Sequence, residues 1–363
     1  MGYRVDYRII AANVGFYHYR HFAKVASKIL RCSVMKGLEL CQRFFWEVGF
    51  PAIKQHLPEC LPYLAAGLAG GSQCHGNDDE VSRDHGWGPG FAMWLLREEY
   101  DRFVEPLQTI LEQLPREFLG YGWQSQPKQT CAVYEIGRYV KSVVGCEKAP
   151  EADLDWLHIP EEYLFEITHR PVFYDATGEV TKRFESFAQY PEDVWKKRLS
   201  ACLAWLWEWG VKQLRRAEQR GDTITAATYW CRFTTYAMKV GFLLNRRYAP
   251  YHKWLYCEFL KLPQIATEVA PLLRKGFEQT EGRNQVASQI AEIYTRHLVR
   301  LGYCPIILTT EEHRNIAYPD NELLKYAMAV RDSIRIPEIR DLKLRLEIYP
   351  PPWMPTWTWV SPS

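Results

Sequence analysis

Gly70-Gly71-Ser72-Gln73-Cys74-His75-Gly76-Asn77-Asp78-Asp79-Glu80-Val81-Ser82-Arg83-Asp84-His85-Gly86-Trp87-Gly88-Pro89 is the stretch whose reading decides the fold. An apolar segment runs into Gly70-Gly71-Ser72, and four acids, Asp78, Asp79, Glu80 and Asp84, then fall within seven residues. Glycine lets the backbone come close to a phosphate, and a serine hydroxyl with neighbouring N–H groups holds its oxygens. Carboxylates beside such a turn suit a divalent cation that bridges phosphates. The combination points to phosphoryl or nucleotidyl transfer, with Gly71 and Ser72 on phosphate and Asp84 on metal.

On either side, the spacing of apolar residues alternates between strand and helix. Lys36 to Val48 reads as an amphipathic helix through Leu38, Cys41, Phe44, Phe45 and Val48, ended by Gly49 and Pro51. Cys60 to Leu68 reads as a buried strand that delivers its end to the glycines, and Gly90 to Leu96 as a second strand after the acidic loop. A helix over Glu98 to Leu114, a strand over Thr130 to Glu135 and a helix over Gly137 to Val144 complete an α/β (α+β) unit at 36–150. Residues 151–190 form a connector in which Asp175-Ala176-Thr177-Gly178 turns between two extended pieces.

From Pro191 the pattern is helical: Glu192 to Arg220, Thr223 to Leu244, Tyr251 to Leu262, Arg283 to Leu301 and Asn321 to Ile334. The stretch 191–345 is therefore expected to be an all-α bundle. Residues 1–35 form an N-terminal extension with six Lys or Arg up to position 34 and the single acid Asp6. Residues 346–363 are a tail in which Pro and Trp recur and neither a helix nor a central strand can form.

With 363 residues, 47% of them hydrophobic, the chain has the length for two cores. Lys and Arg number 45 against 43 Asp and Glu, a balance that argues against broad capture of nucleic acid. The ten cysteines show no zinc-ligand spacing and are expected to be reduced thiols of a cytoplasmic protein. The Arg-rich, acid-poor start raises a mitochondrial leader as the weaker alternative, its Tyr and His content and shortage of Ser counting against it. The longest apolar run, Leu61 to Leu68, is far too short for a membrane span.

Gly70-Gly71-Ser72 and Asp78 to Pro89 resemble the signature of an uncharacterised family of nucleotidyltransferase-like proteins with a helical C-terminal domain. The resemblance continues through Leu114 to Gly120, Tyr190 to Trp195, and Phe242 to Tyr248 with Lys253-Trp254, and covers roughly positions 36 to 345. It implies a polymerase-β type nucleotidyltransferase-like domain followed by a helical domain that closes one side of the cleft. The implied reaction is Mg²⁺-dependent transfer of AMP from ATP to a hydroxyl of a small-molecule acceptor. The superfamily carries an Asp-x-Asp pair, and Gly86 stands where the second acid is expected after Asp84. Asp79 and Glu135 are the candidates to complete the metal site. The alternative is a catalytically degenerate cleft that binds a nucleotide, another ligand or a partner protein.

Each candidate also has a structural reading. On that reading Gly71 and Ser72 form only a tight turn, and Asp78, Asp79 and Glu80 a solvated loop of turn and cap residues. Arg246 and Lys253 are candidates to reach nucleotide phosphates across the cleft, against an interdomain ion-pair cluster with Trp254 in the core. Trp205, Trp207 and Trp209 are expected to point in different directions and to serve packing rather than base stacking.

Overall fold

The computed structural model describes residues 35–84, 86–123, 130–303 and 322–342, the side chain of Asp84 excepted. Nearly all of the N-terminal extension, the Pro/Trp tail and His85 lie outside the described residues. Helix α1 (Gly37–Phe44) passes through a π-helical turn, Phe45–Gly49, into α2 (Phe50–His56). Its buried residues Leu40, Cys41, Phe44 and Phe45 recur at helical spacing, which is why this face packs on the sheet.

The strand expected from Cys60 begins later. Pro58 and Pro62 lack a donor N–H, and Pro58–Tyr63 winds into a 3₁₀ turn, which leaves β1 as Ala65–Gly67. After the acidic loop, β2 (Ala92–Leu95) returns antiparallel to β1, with Ala65 opposite Trp94. Helix α3 (Arg97–Glu112) follows, then a two-residue hairpin of β3 (Glu117–Phe118) and β4 (Tyr121–Gly122). Strand β5 (Ala132–Glu135) lies parallel to β2 and leads into α4 (Ile136–Val144).

The connector supplies the fourth strand of the sheet. Helix α5 (Glu161–Thr168) leads to β6 (Val172–Asp175), which pairs antiparallel with β1 and gives the sheet the order β5-β2-β1-β6. Asp175 to Gly178 turns not into a second extended piece but into α6 (Glu179–Glu185), because Asp175 accepts hydrogen bonds from the N–H groups of Gly178 and Thr181 and starts the helix. Successive residues of β2 serve opposite faces: Met93 and Leu95 pack with Phe44, Phe45, Phe103 and Leu107, whereas Ala92 and Trp94 face α4 and the helices beyond.

The helical part begins with α7 (Glu192–Leu206), a π-helical turn Trp207–Leu214 and α8 (Arg215–Gln219), followed by α9 (Thr223–Leu244) and α10 (Leu255–Phe259). The remaining helices among the described residues are α11 (Ala266–Glu278), α12 (Arg283–Arg300), α13 (Glu322–Asp332) and α14 (Pro337–Asp341). One apolar cluster runs from Trp94 in the sheet to Trp230, Tyr294 and Ile339 in the bundle, so sheet and bundle share a core. The expectation for the tryptophans needs correction. Trp205 and Trp209, four residues apart on one helical face, stack with ring centroids 5.3 Å apart at 7°. Trp207 alone turns away and is buried, and all three serve packing.

Candidate functional site

The glycine turn leaves β1 at one edge of the acidic loop. Gly71 has φ +97°, a conformation glycine adopts without strain, and it opens a 3₁₀ turn over Ser72–His75. The turn closes on itself, with Cys74 N–H donating to Gly71 O at 3.1 Å and Asn77 N–H to Ser72 O at 3.0 Å. Gly71 is exposed and Ser72 half-buried. Gln73, buried below them, donates from Nε2 to the carbonyl of Gly86 at 3.1 Å. That bond ties the turn to the segment that follows Asp84, the last residue of the 3₁₀ turn Val81–Asp84. The two halves of the sequence signature are therefore adjacent in space.

The acids of the loop divide by role. Asp78 is 1% exposed, and its Oδ2 accepts from Gly37 N–H at 2.6 Å and Trp87 Nε1 at 3.1 Å, with Lys36 Nζ 3.6 Å from Oδ1. It caps the start of α1 from 41 positions away and is a structural carboxylate. The approach is tight: a side chain at Gly37 would stand 2.6 Å from Trp87 Nε1 and 2.8 Å from Gln73 Cβ. Asp79 is exposed and accepts from Ser82 N–H at 2.8 Å. The Ser82 hydrogen bonds hold its carboxyl below the usual range, helped by the charge of Lys253.

Glu135 ends β5 and caps α4, its two oxygens taking Gly137 N–H at 2.7 Å and Arg138 N–H at 2.8 Å. Arg246 forms a two-pronged ion pair with Glu192, at 2.7 and 3.3 Å, and its guanidinium lies 3.4 Å from the ring centroid of Trp195. That pair joins the end of α9 to the start of α7, within the helical part. Lys253 is exposed, lies 4.8 Å from the ring centroid of Trp254 and acts on Asp79 through its charge, so it faces the acidic loop. Trp254 is half-buried rather than a core residue.

Sequence reasoning missed the residues that seat the helical part on the loop. Asn77 Nδ2 donates to Glu258 Oε1 at 2.6 Å, and Lys261 Nζ donates to Asn77 Oδ1 at 3.1 Å, to Glu258 Oε1 at 2.6 Å and to His75 O at 3.4 Å. Glu258 in α10 and Lys261 just past its end, three apart, read as a local ion pair in sequence, and nothing there names Asn77 as their third member.

Also missed was a buried ionic cluster behind the turn. His75 Nε2 lies 3.1 Å from Glu166 Oε1, and Arg170 Nη1 lies 3.0 Å from Glu166 Oε2 and 3.8 Å from Cys74 Sγ. Burial works to raise the Glu166 carboxyl, but the hydrogen bond to His75 and the charge of Arg170 outweigh it and hold the group below its ordinary value. Burial pushes the Cys74 thiol up to about 11, which keeps it protonated.

For a Mg²⁺ ion the donor set is poor. Gly86 offers no carboxylate, Asp78 is engaged by backbone and indole donors, and Glu135 is engaged as a cap. Among the described residues no cluster of three His, Cys, Asp or Glu is placed to hold a metal. Of Asp78, Asp79 and Glu135, Asp79 is the exposed one, and the side chain of Asp84 lies outside the described residues. Elsewhere, a cavity of about 690 Å³ lined by Leu272, Gln289, Arg296 and Glu322 contains no residue of the loop. No helix among the described residues is long and apolar enough to cross a membrane.

Residues 156–255, from the connector through α9 to the start of α10, match the family model described as a domain of unknown function, DUF4037. The chain is similar at 9% identity to a nucleotidyltransferase-like protein from Exiguobacterium sibiricum 255-15, over 78% of this chain and 89% of that one, with a TM-score of 0.32. No curated protein matches. The DUF4037 match covers the connector and the first helices of the helical part, and the loop at 70–89 lies outside it.

Proposed function

We propose that this chain binds a nucleoside triphosphate between the glycine turn and helix α10, with the phosphates on the backbone of Gly70-Gly71-Ser72. The observation that carries the reading is the Gln73 bond to Gly86 O, which holds the turn against the Asp84 segment while α10 walls the same loop through Asn77, Glu258 and Lys261. Lys253, exposed beside Asp79, is the cation of the helical part best placed to meet a phosphate; Arg246 is committed to Glu192 and Trp195. A metal held there would bridge phosphates and activate an acceptor hydroxyl.

Transfer of AMP from ATP to a small-molecule hydroxyl is the reaction the resemblance implies. The carboxylates favour the second reading, binding without turnover: Gly86 replaces one acid, and Glu135 and Asp78 are spent on backbone N–H groups. Calorimetry of ATP binding, with and without Mg²⁺, on the natural protein and Asp84→Asn separates the two. Binding that needs neither Mg²⁺ nor the Asp84 charge supports a non-catalytic cleft. Mg²⁺-dependent binding abolished by the substitution restores the transferase, and no binding under any condition overturns both.

A further inference from the structure

We propose that Arg170, held behind the glycine turn by Glu166, is the fixed cation that draws an oxyanion, the polyphosphate chain of a nucleotide, onto Gly70-Gly71-Ser72. The inference rests on the phosphate reading of that turn and assigns it the charge it lacks. No Lys or Arg occurs from Ala65 to Ser82, while Asp78, Asp79 and Glu80 make the neighbouring loop acidic. Of the cations nearby, Lys36 is spent on Asp78 and Lys261 on Glu258, while Lys253 is exposed to solvent beside Asp79.

Arg170 is placed differently. Its side chain is 7% exposed, and the first carbon of any side chain at Gly70 would stand 3.5 Å from Nη1, 3.8 Å from Nη2 and 3.9 Å from Cζ. The guanidinium thus lies directly behind the Gly70 backbone. Its Nε is buried without a hydrogen-bond partner, and its one carboxylate partner among the described residues, Glu166, is shared with His75. The other polar neighbours are neutral or weakly polar: the Cys74 thiol accepts from Nη1, and the Tyr139 hydroxyl donates to Ala69 O at 2.8 Å. Burial pushes His169, beside His75, toward its neutral form. An arginine keeps its charge in such surroundings, and water screens a buried charge far less than an exposed one. The backbone N–H groups of the turn then supply hydrogen bonds, and Arg170 supplies the attraction. Because it acts through the turn, Arg170 is a positioning residue and Glu166 sets how much of its charge is felt.

The test is calorimetry with sodium tripolyphosphate, free of divalent metal, on the natural protein, Arg170→Met and Glu166→Gln, with circular dichroism to verify folding. Arg170→Met is expected to weaken binding about tenfold, the effect of losing one poorly screened charge several ångströms from the ligand. Glu166→Gln keeps the shape and the hydrogen-bond acceptor but removes the opposing charge, so binding is expected to tighten severalfold. A purely structural ion pair gives no such opposite signs. Unchanged or weaker binding in folded Glu166→Gln overturns the proposal, and that variant decides alone should Arg170→Met fail to fold. Failure of the natural protein to bind tripolyphosphate overturns it too. ATP binding that neither substitution alters removes Arg170 from the site and leaves the nucleotide cleft standing, whereas a natural protein that binds no ATP loses the cleft itself.

Discussion

Replacing Asp78 with Ala tests whether this acid of the loop is structural. In the natural protein Oδ2 takes two donors, Gly37 N–H at 2.6 Å and Trp87 Nε1 at 3.1 Å, in a place where the carboxylate is 1% and Trp87 5% exposed. Hydrogen bonds to a charged partner contribute about 1.5–3 kcal/mol each, and removal of the acceptor leaves two buried donors unpaired. Asp78→Ala is therefore expected to cost about 3–5 kcal/mol. Asp78→Asn retains an oxygen for the donors but loses the charge and turns an amide toward Lys36, and about 1–2 kcal/mol is expected. Asp79, exposed and bonded only within its own turn, should lose far less on the same truncation. Urea unfolding followed by tryptophan fluorescence reads all three. Asp78→Ala with the midpoint and slope of the natural protein, or Asp79→Ala as damaging as Asp78→Ala, would refute the division of roles.

Other consequences follow from the same contacts. Gly276 in α11 packs against the fully buried Trp230, and a methyl there would stand 2.1 Å from Cζ2. Gly276→Ala should destabilise by about 1–3 kcal/mol despite the gain in helix propensity, as a lowered urea midpoint. The Glu166 carboxyl is held below its unfolded value, so its contribution to stability is complete above that value and is lost as pH falls through the folded one. Acid unfolding of Glu166→Gln should accordingly be less steep with pH than that of the natural protein over this range. Arg246→Ala should leave ATP affinity unchanged in calorimetry and cost about 1 kcal/mol or less, because its partner Glu192 is exposed.

Elements with a strong apolar period were legible in the sequence. α3, α4, α9 and α12 stand where the spacing puts them, because each buries one stripe against a neighbour. Helix α11 was missed, since Pro271 and Gly276 interrupt its pattern and packing on Trp230 outweighs their poor propensity. Strand β6 was legible as the extended piece before Asp175, but its place in the sheet was not: its four residues are all half-buried at a sheet edge, and short edge strands carry little alternation. The turn and the Asp84 segment were readable because they are close in sequence. The bonds that assign roles to the remaining acids were not, for they reach from Asp78 back to Gly37, from Asn77 to Glu258 and from His75 to Glu166. Glu135 as a helix cap gave little signal, glutamate being an uncommon residue at that position.

The most direct test of the nucleotide cleft is amide hydrogen exchange on the full chain, with and without ATP, at peptide resolution. Slowed exchange over Gly70–Cys74 together with Leu255–Lys261, and little change elsewhere, is the result the account predicts. Protection confined to α11 and α12 around the cavity at Leu272 and Gln289, or none at the glycine turn under conditions where ATP is bound, would contradict it.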